Sequence, residues 1–130
     1  MVSDRDVCDD SGMATTVLIV DDHPTFRSSA RSVLEADGFV VVGEAGDGNA
    51  AIEAVRRLHP DLVLLDVQLP DMDGFEIARR LQADRDTPAI VLTSSRDAGE
   101  YGSAVADSGV HGFIPKAELS GAAIARLMTP

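Results

Sequence analysis

The sequence predicts an α/β fold, a five-stranded parallel sheet in the order 2-1-3-4-5 with helices on both faces. Three observations carry that prediction. Short apolar runs alternate with stretches of helical period five times along the chain, the pattern of repeated strand–helix units. Two of the runs, 62–65 and 89–93, are almost unbroken in apolar character, as strands covered on both faces must be. Finally, Pro115 closes the fifth run, and a residue without a backbone N–H cannot donate to a ladder, which places that strand at an edge.

Residues 1–13 are polar, acidic and aperiodic and are expected to form a disordered tail, leaving a folded domain at 14–130. Cys8, the only cysteine, falls in that tail, so no internal disulfide supports the fold. Strands are expected at 16–20, 39–45, 62–65, 89–93 and 112–114. Between the first two, Phe26, Ala30, Val33 and Leu34 share one helix face, and Gly38 offers a stop. Ala51, Val55 and Leu58 make a second stripe ending before Pro60, and Phe75, Ala78 and Leu81 make a third. A fourth stripe, around Tyr101, Ala104 and Val105, is weakened by Gly99 and Gly102. The last groups Leu119, Ala123, Ile124 and Leu127.

Composition narrows the function. A chain of 130 residues, 45% hydrophobic and 25% charged, suits one domain with an ordinary core. Its 22 acidic residues against 11 basic ones give a formal charge of -11, which repels a phosphate backbone and argues against direct nucleic-acid binding. The apolar runs are too short to span a bilayer, and the acidic start lacks the character of a signal peptide, so a cytoplasmic address is expected. His59 and His111 read as a helix-end residue and a residue leading into a strand.

The residues that directly follow the strands are the informative ones. Asp21 and Asp22 follow the first, Asp66 the third and Lys116 the fifth, while Thr93 ends the fourth. In the order 2-1-3-4-5 the first and third strands are neighbours, so three carboxylates meet a hydroxyl and an ammonium where such sheets bind ligands. Crowded carboxylates repel one another unless a cation intervenes, and an oxygen-only donor set suits Mg²⁺. His23 alone does not make a zinc site. Asp22, read in isolation, would cap the first helix ahead of Pro24. Lys116 is the only lysine, the other ten basic residues being Arg, and a compact ammonium reaches a phosphoryl oxygen as a point charge. A carboxylate beside a cation, a hydroxyl and an ammonium suits phosphoryl transfer through an acyl phosphate.

Four segments, VLIVDDHP at 17–24, HPDLVLLDVQLPDMDG at 59–74, IVLTSS at 90–95 and GFIPKA at 112–117, together resemble the receiver domain of two-component response regulators, a flavodoxin-like fold. The resemblance implies that Asp66 accepts a phosphoryl group from the phosphohistidine of a sensor histidine kinase or phosphotransfer protein. It further implies Mg²⁺ held by Asp22, Asp66 and the Gln68 carbonyl, with Asp21 acting through water. Thr93 and Lys116 would engage the phosphoryl oxygens, and Thr93 with Phe113 would form a switch altering the face of the fourth helix, fifth strand and fifth helix, through which a homodimer could form. DDHP and GFIPK resemble the subgroup often fused to a LuxR-type helix-turn-helix. Ala117 stands where many receivers carry a proline after the lysine, often with a cis bond, which puts that bond in doubt here.

Other functions fit less well. A haloacid-dehalogenase-like phosphatase needs an Asp-x-Asp arrangement on the first strand, whereas Asp21 and Asp22 are adjacent. A flavin carrier needs a hydroxyl- and glycine-rich phosphate loop where these two acids stand. A phosphorylation-independent interaction domain with a vestigial acid pocket is the remaining alternative. No enzymatic turnover is expected beyond the domain's own phosphoryl transfer and dephosphorylation.

Overall fold

Alternate residues of a strand leave the sheet on opposite sides, and here both sides are apolar. The computed structural model describes residues 14–83, 87–95, 101 and 103–128. Strand β1 (Thr16–Val20) sends Val17 and Ile19 to one core and Leu18 and Val20 to the other. The chain continues through α1 (Pro24–Ala36), β2 (Val40–Ala45), α2 (Gly48–Leu58), β3 (Leu62–Asp66) and α3 (Gly74–Gln82). It closes with β4 (Ala89–Ser94), the short α4 (Ala104–Asp107), β5 (Gly112–Pro115), a 3₁₀ turn (Lys116–Glu118) and α5 (Gly121–Met128).

All four strand pairings are parallel, and the order is β2-β1-β3-β4-β5, as the sequence predicted. Pro115 lies in the edge strand β5 opposite Ser94, where its missing N–H costs the ladder little. Helices α2 and α3 pack Ala51, Val55, Ile77, Ala78 and Leu81 onto one face of the sheet. Helices α1 and α5 pack Ala30, Leu34 and Ile124 onto the other. Leu62, Val63, Leu64 and Leu65 of the central strand are all fully buried, which explains the unbroken apolar run.

Local chemistry moves several boundaries. Helix α1 ends in paired backbone bonds, Gly38 N–H to the Glu35 carbonyl (3.2 Å) and Phe39 N–H to that of Leu34 (3.0 Å). Phe39 therefore closes the helix, and β2 starts at Val40 rather than 39. His23, not Asp22, is the N-cap of α1, and its side chain makes no capping bond. Leu119 does not join the last helix. The 3₁₀ turn after β5 leaves it extended, and α5 begins at Gly121, with the Ser120 hydroxyl accepting from Ala123 N–H at 3.0 Å. The glycine-weakened fourth helix is only four residues long and buries none of them. Residues 1–13, with Cys8, and Gly99 and Gly102 lie outside the described residues. No cis peptide bond occurs among the described residues, Lys116–Ala117 included. No described helix is long and apolar enough to cross a membrane.

Leu64→Ala, which empties a fully buried position of β3, is expected to cost about 3 kcal/mol in urea unfolding. Val40→Ala on the edge strand, where the side chain is 45% exposed, should cost less than about 1 kcal/mol.

Candidate functional site

Because every strand runs the same way, every strand ends on the same edge, and the residues that follow them are forced together. Asp21 leaves β1 with its N–H still on the Ala45 carbonyl (3.0 Å), and its side chain is fully buried. Its Oδ1 accepts from the His23 N–H at 2.8 Å, a tight local turn that points the next carboxylate, that of Asp22, outward. The His23 ring Nδ1 lies 3.1 Å from Asp21 Oδ1 and 3.0 Å from Asp22 Oδ1. Arg27 of α1 donates from Nη1 to the Asp21 carbonyl at 2.6 Å, while its Nε donates to Glu44 at 3.1 Å. The end of β1 is thus tied to both α1 and β2.

Asp66, the last residue of β3, is buried opposite Thr93 in the ladder. Its Oδ1 accepts from Gln68 N–H at 3.2 Å, and its Oδ2 lies 3.4 Å from the Lys116 ammonium. Lys116 also stands 2.5 Å from Asp21 Oδ2 and 4.5 Å above the Phe26 ring. Gly74 opens α3 directly behind Asp66. A Cβ there would lie 2.7 Å from the Asp66 carbonyl oxygen and 2.9 Å from Val67 Cα, so only glycine lets helix and strand end approach this closely.

Potential ligand atoms of Asp21, Asp22, His23 and Asp66 all lie within 4.8 Å of one another. Asp22, His23, Asp66, Gln68, Leu69, Pro70, Ser95 and Lys116 line a cavity of about 240 Å³ above them. Three carboxylates facing one ammonium leave an excess of negative charge. Burial, helped by the nearby Asp21 charge, pushes the Asp66 carboxyl up to about 6 against the opposing pull of the Gln68 N–H and Lys116. An oxygen-rich cluster in which a buried carboxylate is held far above its ordinary range fits a hard divalent cation. Asp21, Asp22 and Asp66, with the His23 ring in the same cluster, are the residues that could hold one.

The structure thus gathers Asp21, Asp22, Asp66, Gln68 and Lys116 as the sequence suggested, and departs from it at Thr93. The Thr93 side chain is fully buried, and its hydroxyl donates to the Ile114 carbonyl at 2.7 Å instead of facing the cavity. Phe113 lies on the α2–α3 side of β5, its ring centroid 5.7 Å from that of Tyr101, which in turn stands 5.8 Å from Phe75. Among the contacts that escaped the sequence reading are the Arg27 bond to the Asp21 carbonyl and a 2.7 Å hydrogen bond between the Tyr101 and Ser94 hydroxyls. Arg27 lies six residues past Asp21 and Tyr101 seven past Ser94, but neither spacing is itself a motif.

A parallel 2-1-3-4-5 sheet with an acid pocket and an ammonium at its carboxyl edge defines a flavodoxin-like α/β domain of the signalling type. More specifically, the chain belongs to the response regulator receiver domain family of two-component systems, whose family model matches residues 17–127. It is 41% identical over 101 residues to the nitrate/nitrite response regulator protein NarP of Escherichia coli, covering 77% of this chain and 47% of NarP. It is 40% identical over 84 residues to protein-glutamate methylesterase/protein-glutamine glutaminase 3 of Hahella chejuensis, covering 65% of this chain and 24% of that protein. Among solved structures, a LuxR-family two-component response regulator from Aurantimonas sp. SI85-9A1 superposes with a TM-score of 0.79 at 28% identity, covering 89% of this chain and 86% of that one. The chain spans less than half the length of either curated relative.

The raised Asp66 carboxyl sets a sign for pH dependence in chelator. An acid with its folded pKa near 6 and its unfolded value near 3.8 binds a proton more tightly when folded. Its contribution to stability is therefore full below about pH 4 and is lost as pH rises through about 6. Urea unfolding between those limits should show a decline of about 3 kcal/mol from this group. Asp66→Asn should remove that decline and be the more stable protein at pH 7.

Proposed function

We propose that this domain is the phosphoacceptor of a two-component phosphorelay and that Asp66 takes the phosphoryl group from a sensor histidine kinase or phosphotransfer protein. The observation that carries the reading is the meeting of Asp66 with Asp21, Asp22 and Lys116 on one edge of the sheet. An Asp66 oxygen forms the new bond to phosphorus while the bond between phosphorus and the donor's imidazole nitrogen breaks, and the imidazole takes up a proton. Asp22, Asp66 and the Gln68 carbonyl would hold Mg²⁺, with Asp21 acting through water, and the ion would supply positive charge toward the phosphoryl oxygens.

The chain's own residues do the rest. A positive neighbour for Asp21 and Asp66 keeps the acceptor ionised and able to attack, against the burial that favours its protonated form. Lys116, already 3.4 Å from Asp66, needs little movement to meet a phosphoryl oxygen. The Thr93 hydroxyl reaches the same group by giving up Ile114, and that exchange, with a turn of Phe113, is the switch.

The altered surface is that of α4, β5 and α5, where a cavity of about 200 Å³ is lined by Phe113, Pro115, Ala123 and Leu127, among others. It is the face on which a homodimer or an output partner would dock. The acidic balance of the chain favours protein partners over direct contact with nucleic acid, and a cytoplasmic setting accords with an intracellular kinase. Catalysis is confined to the domain's own phosphorylation and hydrolysis.

Acetyl phosphate with Mg²⁺ is expected to add one phosphoryl group, read by intact mass, and Asp66→Asn or a chelator should abolish the gain. A folded wild-type protein that takes up no phosphoryl group from acetyl phosphate or from phosphohistidine donors would overturn the reading. Thr93→Ala should still be phosphorylated yet lose the accompanying change in the Phe113 ring signals by NMR.

A further inference from the structure

The loop between β3 and α3 presents Gln68 to Asp66, and its geometry is fixed at two levels. At the base, Gly74 N–H donates to the Val67 carbonyl at 2.6 Å, and Gln68 and Asp73 form an antiparallel bridge. At the tip, Asp71 leaves its own loop altogether. Its Oδ1 accepts from the Gly48 N–H at 2.7 Å and its Oδ2 from the Asn49 N–H at 3.0 Å, the first two amides of α2. Met72 then seats on the same turn, where a Cβ on Gly48 would stand 2.5 Å from Met72 Cγ, so the glycine makes room for the tip.

Helix α2 does not depend on Asp71 for a cap, because its own N-cap Asp47 accepts from Ala50 N–H at 2.7 Å. Two carboxylates therefore serve one helix start, one local and one lent by a loop whose Asp71 lies 23 residues past Gly48 and 22 past Asn49. The amides Asp71 holds are the otherwise orphaned ones of the first turn, and those two bonds keep its carboxyl below the usual carboxylate range. The bond is two-pronged, so it fixes the direction of the loop tip as well as its distance.

We propose that Asp71 is a positioning residue for phosphoryl transfer. By clamping the loop tip to the first turn of α2, it holds Gln68 where its N–H meets Asp66 Oδ1 and the residue lines the pocket. This rests on the reading of Asp66 as phosphoacceptor. The loop from Gln68 to Asp73 is short and closed at its base, so freeing its tip transmits to Gln68 as a change of backbone angle. Asp66 would then lose part of the N–H support on one oxygen, and the pocket would lose the placement of one lining residue.

Asp71→Ala, Asp71→Asn and Asp47→Ala separate positioning from capping. Each weakens the carboxylate support of α2, and a role confined to capping would lower Tm and leave function alike in all three. Asp71→Ala is expected to slow Asp66 phosphorylation by acetyl phosphate about 5-fold, the scale set by a misplaced catalytic geometry. Gln68 N–H exchange in the same variant should quicken by about 10-fold as the loop opens locally. Asp47→Ala should leave both within about 2-fold, and Asp71→Asn, which keeps one acceptor oxygen, should fall between and remain readable if the alanine variant does not fold. Wild-type rate and exchange in Asp71→Ala, or equal losses in Asp47→Ala, would overturn the proposal. If the wild-type protein takes up no phosphoryl group, the phosphoacceptor reading fails by itself, and Gln68 exchange still decides whether Asp71 holds the loop.

Discussion

Two buried carboxylates share one ammonium at the carboxyl edge of the sheet, and the rest of the molecule is arranged around that unequal contact. Asp21 and Asp66 are almost wholly withdrawn from water, with Lys116 2.5 Å from one and 3.4 Å from the other. Isolated, such burial would be costly enough to neutralise the groups. Here it is contained by the backbone, which offers the His23 N–H to Asp21 and the Gln68 N–H to Asp66. The parallel sheet makes the contact unavoidable, because neighbouring strands β1 and β3 deliver their terminal acids to the same place. A site that is strained toward protonation without a cation and relieved by one is poised to respond to what binds there.

The fold was legible because both cores are built from residues whose period shows in the sequence. Val17 and Ile19 against Leu18 and Val20, and the four buried leucine and valine positions of β3, leave no other assignment for these runs. The boundaries were less legible where a backbone bond outranks the side chain. Phe39 looks like a strand residue, but its N–H is used to close α1, and Leu119 fits the stripe of α5 although a 3₁₀ turn holds it outside the helix.

At the site, chemistry-bearing residues that directly follow strands could be found from sequence, since topology alone brings them together. Residues that act from another element could not. Nothing around Asp71 says that its partners are the amides of Gly48 and Asn49, because backbone donors carry no signature in the sequence. Arg27 has the same character, reaching a carbonyl oxygen at the end of β1. Thr93 shows the opposite limit. Its position was legible, but the direction of its hydroxyl depends on a carbonyl in β5 that only the folded chain places 2.7 Å away.

That hydroxyl has a single proton, which gives the fold a way of connecting its pocket to its far face. While Thr93 donates to the Ile114 carbonyl, β4 and β5 are tied by a buried side-chain bond in addition to the ladder. A pocket ligand that recruits the same proton leaves that carbonyl short of a partner, and an unsatisfied buried acceptor costs about 1–3 kcal/mol. The strand that must adjust is an edge strand ending in Pro115, paired on one side only. Its Phe113 ring leans on Tyr101, whose hydroxyl is bonded to Ser94, the residue after Thr93. A shift of β5 is therefore felt by the aromatic row Phe75–Tyr101–Phe113, which carries it to α3. The four-residue α4, with no buried side chain to anchor it, is the element that can follow at least cost.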